Sequence, residues 1–112
     1  MTLRRTLVSA LLLLAAVSAC AAGPTVPDRE PDVTGVVAGA DEPGGPVLAE
    51  PSDRYFEGMG LLRGDPVVVD ADGQATSIAT LEDGDAVEVW IEGICGESFP
   101  VQCDVTAIRL RG

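Results

Sequence analysis

The chain has 112 residues, no histidine, no lysine and a net charge of −11 at pH 7, and this length suffices for one small domain. The absence of histidine excludes Ser-His-Asp and Cys-His catalytic systems and histidine-ligated zinc sites. The acidic balance argues against a nucleic-acid partner, because binding to phosphates requires Lys and Arg side chains.

The first 20 residues differ in composition from the rest and have the three parts of a secretory signal. Two arginines lie near its start, residues 6–17 form an apolar centre, and two small residues precede Cys20. The apolar run is shorter than the ~20 residues that a membrane-spanning helix needs. A signal peptide over residues 1–19 is therefore favoured over a permanent membrane-spanning anchor.

Residues 17–20, Val-Ser-Ala-Cys, resemble the lipobox of bacterial lipoproteins. The resemblance implies that Cys20 receives a diacylglyceryl thioether and becomes the mature N-terminus after cleavage. The protein would then be lipid-anchored on the extracytoplasmic face of the cell membrane, since two or more acyl chains hold firmly where one binds reversibly. A plain signal peptide followed by a chance cysteine is the alternative.

The mature chain would carry 18 acidic side chains against five arginines, a net charge of −13. Residues 20–31 contain three prolines and no apolar periodicity. We expect them to form a flexible, extended tether of ~3.1 Å per residue with no folded role. The domain itself is predicted to span residues 32–112.

This domain is predicted to be all-β. Its five β-rich runs, separated by Gly-rich turns, lie at residues 32–38, 54–63, 66–71, 87–92 and 105–110, with a further short strand over 47–49. In the clearest run, Val87, Val89 and Ile91 alternate with larger or charged residues at period two. Five short strands favour a small, OB-like β-barrel, because closure removes exposed sheet edges.

Cys95 and Cys103 are the two cysteines that remain once Cys20 is lipidated. Export would place them in an oxidising compartment, and small secreted domains commonly depend on disulfides. We therefore expect a Cys95–Cys103 disulfide, worth ~2–3 kcal/mol on the chain-entropy model. A redox-active pair is the less favoured alternative, because its typical spacing is Cys-x-x-Cys.

Residues 84–90 (GDAVEVW) and 97–102 (ESFPVQ) resemble the C-terminal signature of the YobA-like family, and residues 32–35 (DVTG) are similar to its first strand. These are small, secreted or lipid-anchored bacterial domains with an OB-like barrel. The resemblance implies the barrel and the export, and it implies no reaction. The cysteines that flank residues 97–102 depart from the family's pattern.

Acidic clusters are the remaining candidates for chemistry. Residues 70–73 (DADG) have some likeness to a calcium loop, yet the twelfth position from Asp70 is Leu81, where an EF-hand needs Glu. The acidic residues of 82–85 favour a solvated turn, and weak calcium binding at either cluster stays open. Glu88 and Glu92 favour an exposed strand face over acid–base catalysis. We predict no catalytic residue, no metal site and no cofactor.

Four residues near the predicted disulfide form a candidate ligand patch: Trp90, Glu97, Ser98 and Phe99. It requires that the two aromatic rings be partly exposed, and Ser98 has no histidine or lysine to activate it. The sequence thus predicts a non-catalytic, lipid-anchored module that binds a protein or cell-envelope ligand. The alternative is a calcium-dependent or carboxylate-only small enzyme or accessory factor in the cell envelope.

Overall fold

The structure is a computed structural model, and it describes residues 25–112. The predicted signal peptide 1–19 and Cys20 lie outside the described residues. Two 3-10 turns, Arg54–Phe56 and Ile78–Thr80, accompany the strands. The strands are β1 (Val33–Ala38), β2 (Val47–Ala49), β3 (Val67–Val69), β4 (Ala75–Thr76), β5 (Ala86–Gly96) and β6 (Gln102–Leu110).

The strands form one curled sheet in the order β2-β1-β5-β6-β3-β4. Neighbours are antiparallel except β3 and β6, which run parallel. The predicted barrel-like, all-β fold is confirmed, with six strands in a half-barrel where the sequence predicts five. The difference arises because residues 54–63 form a 3-10 turn and an irregular segment, while 47–49 and 75–76 pair as short strands.

The irregular segment 58–63 links the edge strand β2 to β6. The Leu48 N–H in β2 donates to the carbonyl of Met59 at 2.9 Å, and the carbonyl of Arg63 accepts from the Val105 N–H in β6 at 2.9 Å. Backbone groups of a sheet edge need partners, and this segment supplies some of them without forming a regular strand. It therefore continues the wall of the barrel beyond β2.

The hydrophobic core lies inside the curled sheet. Val87 and Val89 are fully buried in it and Ile91 is half-buried against it, so the predicted aliphatic face of β5 is confirmed. The irregular segment contributes Met59 and Leu61. The complete cluster is Val33, Val37, Leu48, Met59, Leu61, Val68, Leu81, Val87, Val89, Val101, Cys103, Val105 and Ile108.

Residues 27–31, here called the N-terminal strap, lie against the opposite face of the sheet and cover Trp90. The indole N–H of Trp90 donates to the carbonyl of Arg29 at 2.9 Å, and the Arg29 guanidinium donates to the carbonyl of Ile91 at 3.1 Å. Arg29 also pairs with the Asp32 carboxylate at 3.0 Å. That carboxylate in turn accepts the Ile91 N–H at 2.7 Å.

These contacts correct two expectations from the sequence. The last residues of the predicted tether, 27–31, have a folded role, because they supply hydrogen bonds and cover to the sheet. Trp90 is 1% exposed, so it takes no part in a ligand patch. The guanidinium carbon of Arg109 lies over the Trp90 ring, 5.4 Å from its centre.

Candidate interaction surface

The long strands β5 and β6 form a hairpin whose end, residues 93–101, is here called the hairpin tip. The pairing is irregular there: Glu92 lies opposite Asp104 and Gly96 lies opposite Gln102, so β5 carries two extra residues. A bulge of this kind redirects side chains away from the regular alternation. The regular alternation of β5 therefore ends at the hairpin tip, where residues 96–100 are exposed.

A disulfide between Cys95 and Cys103 closes the hairpin tip, and the predicted pairing is confirmed. The sulfurs lie 2.05 Å apart and the two Cα atoms 4.2 Å apart. Cys103 and Val101 belong to the buried core. The cross-link thus ties the exposed residues directly to the most buried part of the fold.

Two large apolar side chains at the hairpin tip are almost fully in solvent. Ile94 is 98% exposed and Phe99 is 94% exposed. Burying a side chain of this size is worth about 1.5–3 kcal/mol, so their exposure leaves a substantial free energy available to a binding partner. Both residues lie on the same turn, and contiguous exposed apolar groups mark interaction sites more often than scattered ones do.

Tyr55 extends this surface from the neighbouring 3-10 turn. Its hydroxyl donates to a Glu97 carboxylate oxygen at 2.8 Å, and its ring packs edge-on against Phe56 with centroids 4.9 Å apart. The Asp53 carboxylate caps the turn by accepting the Tyr55 N–H at 3.0 Å. The hydrogen bond to Glu97, then partial desolvation and the negative charges of Glu97 and Asp53, raise the pKa of the Tyr55 hydroxyl.

Ser98 has a local structural contact within the hairpin tip. Its hydroxyl donates to the carbonyl of Pro100 at 2.7 Å, which holds the turn around Phe99. Three residues of the predicted patch, Glu97, Ser98 and Phe99, therefore lie in the hairpin tip. The fourth, Trp90, is buried beneath the strap.

Sequence reasoning missed Ile94 and Tyr55. Ile94 occupies the same alternate positions of β5 as Glu88 and Glu92, which belong to the polar face of the strand. An isoleucine at such a position was the sequence signal that could have indicated an exposed apolar side chain. No comparable signal marks Tyr55, because its neighbour in space, Glu97, is 42 residues away along the chain.

Three carboxylates lie on or next to the hairpin tip. Glu92 and Asp104 lie directly opposite one another across the hairpin, and Glu97 lies within the tip itself. The guanidinium of Arg63 pairs with Asp104 at 3.1 Å. Among residues 25–112, neither Glu92 nor Glu97 has an arginine partner, so the rim of this surface is acidic.

The other acidic clusters act within turns, as the turn interpretation predicts. One Asp70 carboxylate oxygen accepts the backbone N–H groups of Asp72 and Gln74, both at 2.9 Å. The Asp83 carboxylate accepts the Ala40 N–H, and the Asp85 carboxylate accepts the Glu82 N–H, each at 2.8 Å. The Asp70 and Asp85 oxygens thus stabilise their own turns, whereas the Asp83 oxygen joins its turn to the loop that follows β1.

Glu88, considered above as half of a carboxylate pair, is an ion-pair residue. A guanidinium nitrogen of Arg109 lies 2.6 Å from one of its oxygens, and Arg111 approaches the other oxygen at 3.9 Å. On the neighbouring strand, Arg109 lies directly opposite Glu88. The pair therefore stabilises the pairing of β5 and β6.

Comparison with known proteins identifies no relative: no family model, no curated protein and no solved structure matches the chain. Within residues 25–112, no helix is long and apolar enough to cross a membrane. The lipobox and the likeness to the YobA-like family stay predictions from the sequence.

Proposed function

We propose that the protein is a lipid-anchored binding module on the extracytoplasmic face of the cell membrane. In this proposal, lipidated Cys20 holds the chain to the bilayer, and the hairpin tip binds a protein of the cell envelope without catalysing a reaction. The observation that carries the proposal is the exposure of Ile94 and Phe99 on a turn that a disulfide fixes to the core.

The disulfide supports the proposal in two ways. It is a bond that forms and persists in exported proteins, which agrees with a signal peptide over residues 1–19. It also restricts the conformations of the hairpin tip before a partner arrives. Preorganisation of this kind lowers the entropic cost of binding, so that more of the apolar burial contributes to affinity.

The strap supports a position close to the membrane. Only residues 21–26 separate Cys20 from the strap, and a chain of this length spans about 25 Å at most. The domain would therefore stay within about the width of one small domain from the bilayer. A partner in this proposal is consequently a protein that is itself at or near the membrane surface.

Fractionation of cells that produce the full chain tests the anchoring. We expect the wild-type chain in the membrane fraction, released by detergent and not by high salt. The Cys20→Ala chain should accumulate as an unprocessed precursor, and globomycin should have the same effect on the wild type. Cys95→Ala/Cys103→Ala is the matched cysteine control and should remain membrane-bound. Unchanged processing of the Cys20→Ala chain would refute the anchoring.

Chemical cross-linking of intact cells, followed by blotting for the chain, tests the binding. We expect species of higher mass with the wild type and their loss with Ile94→Ser/Phe99→Ser. Leu62→Ser is the matched control, because Leu62 is an exposed apolar residue (46%) outside the hairpin tip. Equal loss in both variants, or cross-linked species that persist in the tip variant, would count against this surface.

A further inference from the structure

We infer that the partner of the hairpin tip is a protein surface in which an apolar pocket is surrounded by Arg or Lys side chains. This inference rests on the proposed function and specifies the chemistry of the ligand.

The shape of the hairpin tip requires a concave partner. Ile94 and Phe99 are almost completely exposed to solvent, and the disulfide next to them cross-links β5 to β6. Side chains exposed in this way are buried when they enter a pocket, as central anchor residues of interfaces do. A flat surface would leave much of both side chains in water.

The charges around the tip require cations on that partner. Glu92 lies opposite Asp104, an arrangement of like charges that is destabilising in a sheet. Arg63 is the single ion-pair partner of Asp104 in the described part of the chain, and both of these side chains are more than half exposed. Glu92 and Glu97 keep uncompensated negative charge beside the apolar anchors. A partner with cationic side chains at the rim would neutralise them.

The same charges favour a protein over the lipid bilayer. Insertion of Ile94 and Phe99 into the bilayer would bring the carboxylates of Glu92 and Glu97 to the headgroup region. Membranes that contain anionic lipids repel negative charges that lie at their headgroups. The mature chain would carry a net charge of −13, which adds to this repulsion. A basic protein surface attracts the same carboxylates.

The test uses the full chain in membranes from cells that produce it, with p-benzoylphenylalanine in place of Phe99. Irradiation links the tip to whatever lies within reach, and mass spectrometry identifies the linked peptide. We expect a protein peptide whose apolar residues are flanked by Arg or Lys. We also expect the yield to fall about threefold or more between ~0.05 and ~0.5 M NaCl, because salt screens charges at the rim.

Charge variants distinguish a basic partner from a partner that makes only apolar contacts with the hairpin tip. Glu92→Gln/Glu97→Gln should reduce the cross-linking yield at low salt by a similar factor. Asp41→Asn/Glu42→Gln is the matched control: it removes the same charge from an exposed loop away from the tip and should leave the yield within about 1.5-fold.

Each other outcome overturns the inference in a recognisable way. A lipid adduct would show that the tip contacts the bilayer, and a cross-link to a second copy would show self-association. A protein adduct whose yield is insensitive to salt and to Glu92→Gln/Glu97→Gln would retain the proposed binding function while excluding a basic partner. Absence of any adduct would refute both.

Discussion

Gly64 lies where the chain passes closest to β6. A Cβ atom at this position would lie 2.7 Å from both the N and the O of Val105, and the φ angle of Gly64 is +93°. Both features exclude an ordinary L side chain, because the first is a steric overlap with backbone and the second is a left-handed conformation.

We predict that Gly64→Ala lowers the free energy of unfolding by about 2–4 kcal/mol. Gly60→Ala is the matched control in the same region, because a Cβ atom there would meet nothing within 4 Å and the φ angle of Gly60 is not in the left-handed region. Urea unfolding followed by the fluorescence of Trp90, the one tryptophan of the chain, gives both values. Equal stability of the two variants would contradict the close approach.

The single tyrosine of the chain reports on the hairpin tip. Because the Glu97 carboxylate accepts the hydroxyl hydrogen of Tyr55, ionisation of Tyr55 costs a hydrogen bond and adds repulsion, which raises the pKa. We predict that tyrosinate absorbance at 295 nm titrates above the ordinary value in the wild type. Glu97→Gln should lower the midpoint, whereas Glu42→Gln should leave it unchanged. An identical midpoint in all three chains would refute the contact.

The same contact gives a pH dependence of stability with a definite sign. A raised pKa in the folded chain means that the neutral hydroxyl is favoured by folding. The stabilisation from this hydrogen bond is therefore complete below the unfolded pKa of tyrosine, about 10, and is lost as the pH rises through the higher folded value.

At the scale of elements, the strap is the segment whose role differs most from expectation. It covers Trp90, accepts the indole hydrogen bond and holds Arg29 against β5. Removal of these contacts would expose the indole ring on the outer face of the sheet. The lost burial of the ring, together with the lost indole hydrogen bond, costs about 1–3 kcal/mol.

Two truncations test the strap. We predict that a chain beginning at residue 32 shows Trp90 emission at longer wavelength, stronger quenching by acrylamide and a free energy of unfolding lower by about 1–3 kcal/mol. A chain beginning at residue 25 retains the strap and should match a chain beginning at residue 20 in all three properties. Buried emission in the shorter chain would show that Trp90 does not depend on residues 27–31.

Regular elements could be predicted from the sequence where their signal is local. The alternation of Val87, Val89 and Ile91 follows directly from one strand with one buried face. The segment 58–63 could not be assigned, because its hydrogen bonds join β2 and β6, which are distant in sequence. Its buried residues Met59 and Leu61 have the spacing of a strand without its regular pairing.

The candidate site was predictable to a similar extent. Cys95 and Cys103 identified the closed turn, and the residues between them include Glu97, Ser98 and Phe99. The burial of Trp90 depends on Arg29, which is 61 residues away along the chain, and such a contact leaves no local pattern. The sequence therefore located the turn and the exposed Phe99 and wrongly added Trp90, which is buried.

At the scale of the whole molecule, charge repulsion is the dominant electrostatic feature. All 18 acidic residues lie within residues 25–112, and the ion pairs in that part of the chain involve three of them, Asp32, Glu88 and Asp104. Exposed ion pairs contribute about 0–1 kcal/mol each, whereas the net charge of −13 on residues 25–112, from 18 acidic residues and five arginines, favours expansion of this part of the chain. Salt should therefore stabilise the fold by screening the repulsion more than it destabilises the fold by weakening the ion pairs.

We predict that the Tm of a chain of residues 25–112 rises by several degrees between ~10 mM and ~0.5 M NaCl, since each kcal/mol corresponds to about 4–8 °C in a domain of this size. Asp41→Asn/Glu42→Gln should start from a higher Tm and respond less to salt, because part of the repulsion is already removed. CaCl2 at equal ionic strength distinguishes screening from specific binding. A much larger rise with calcium would favour the calcium-dependent alternative, and a fall of Tm with NaCl would show that the ion pairs outweigh the repulsion.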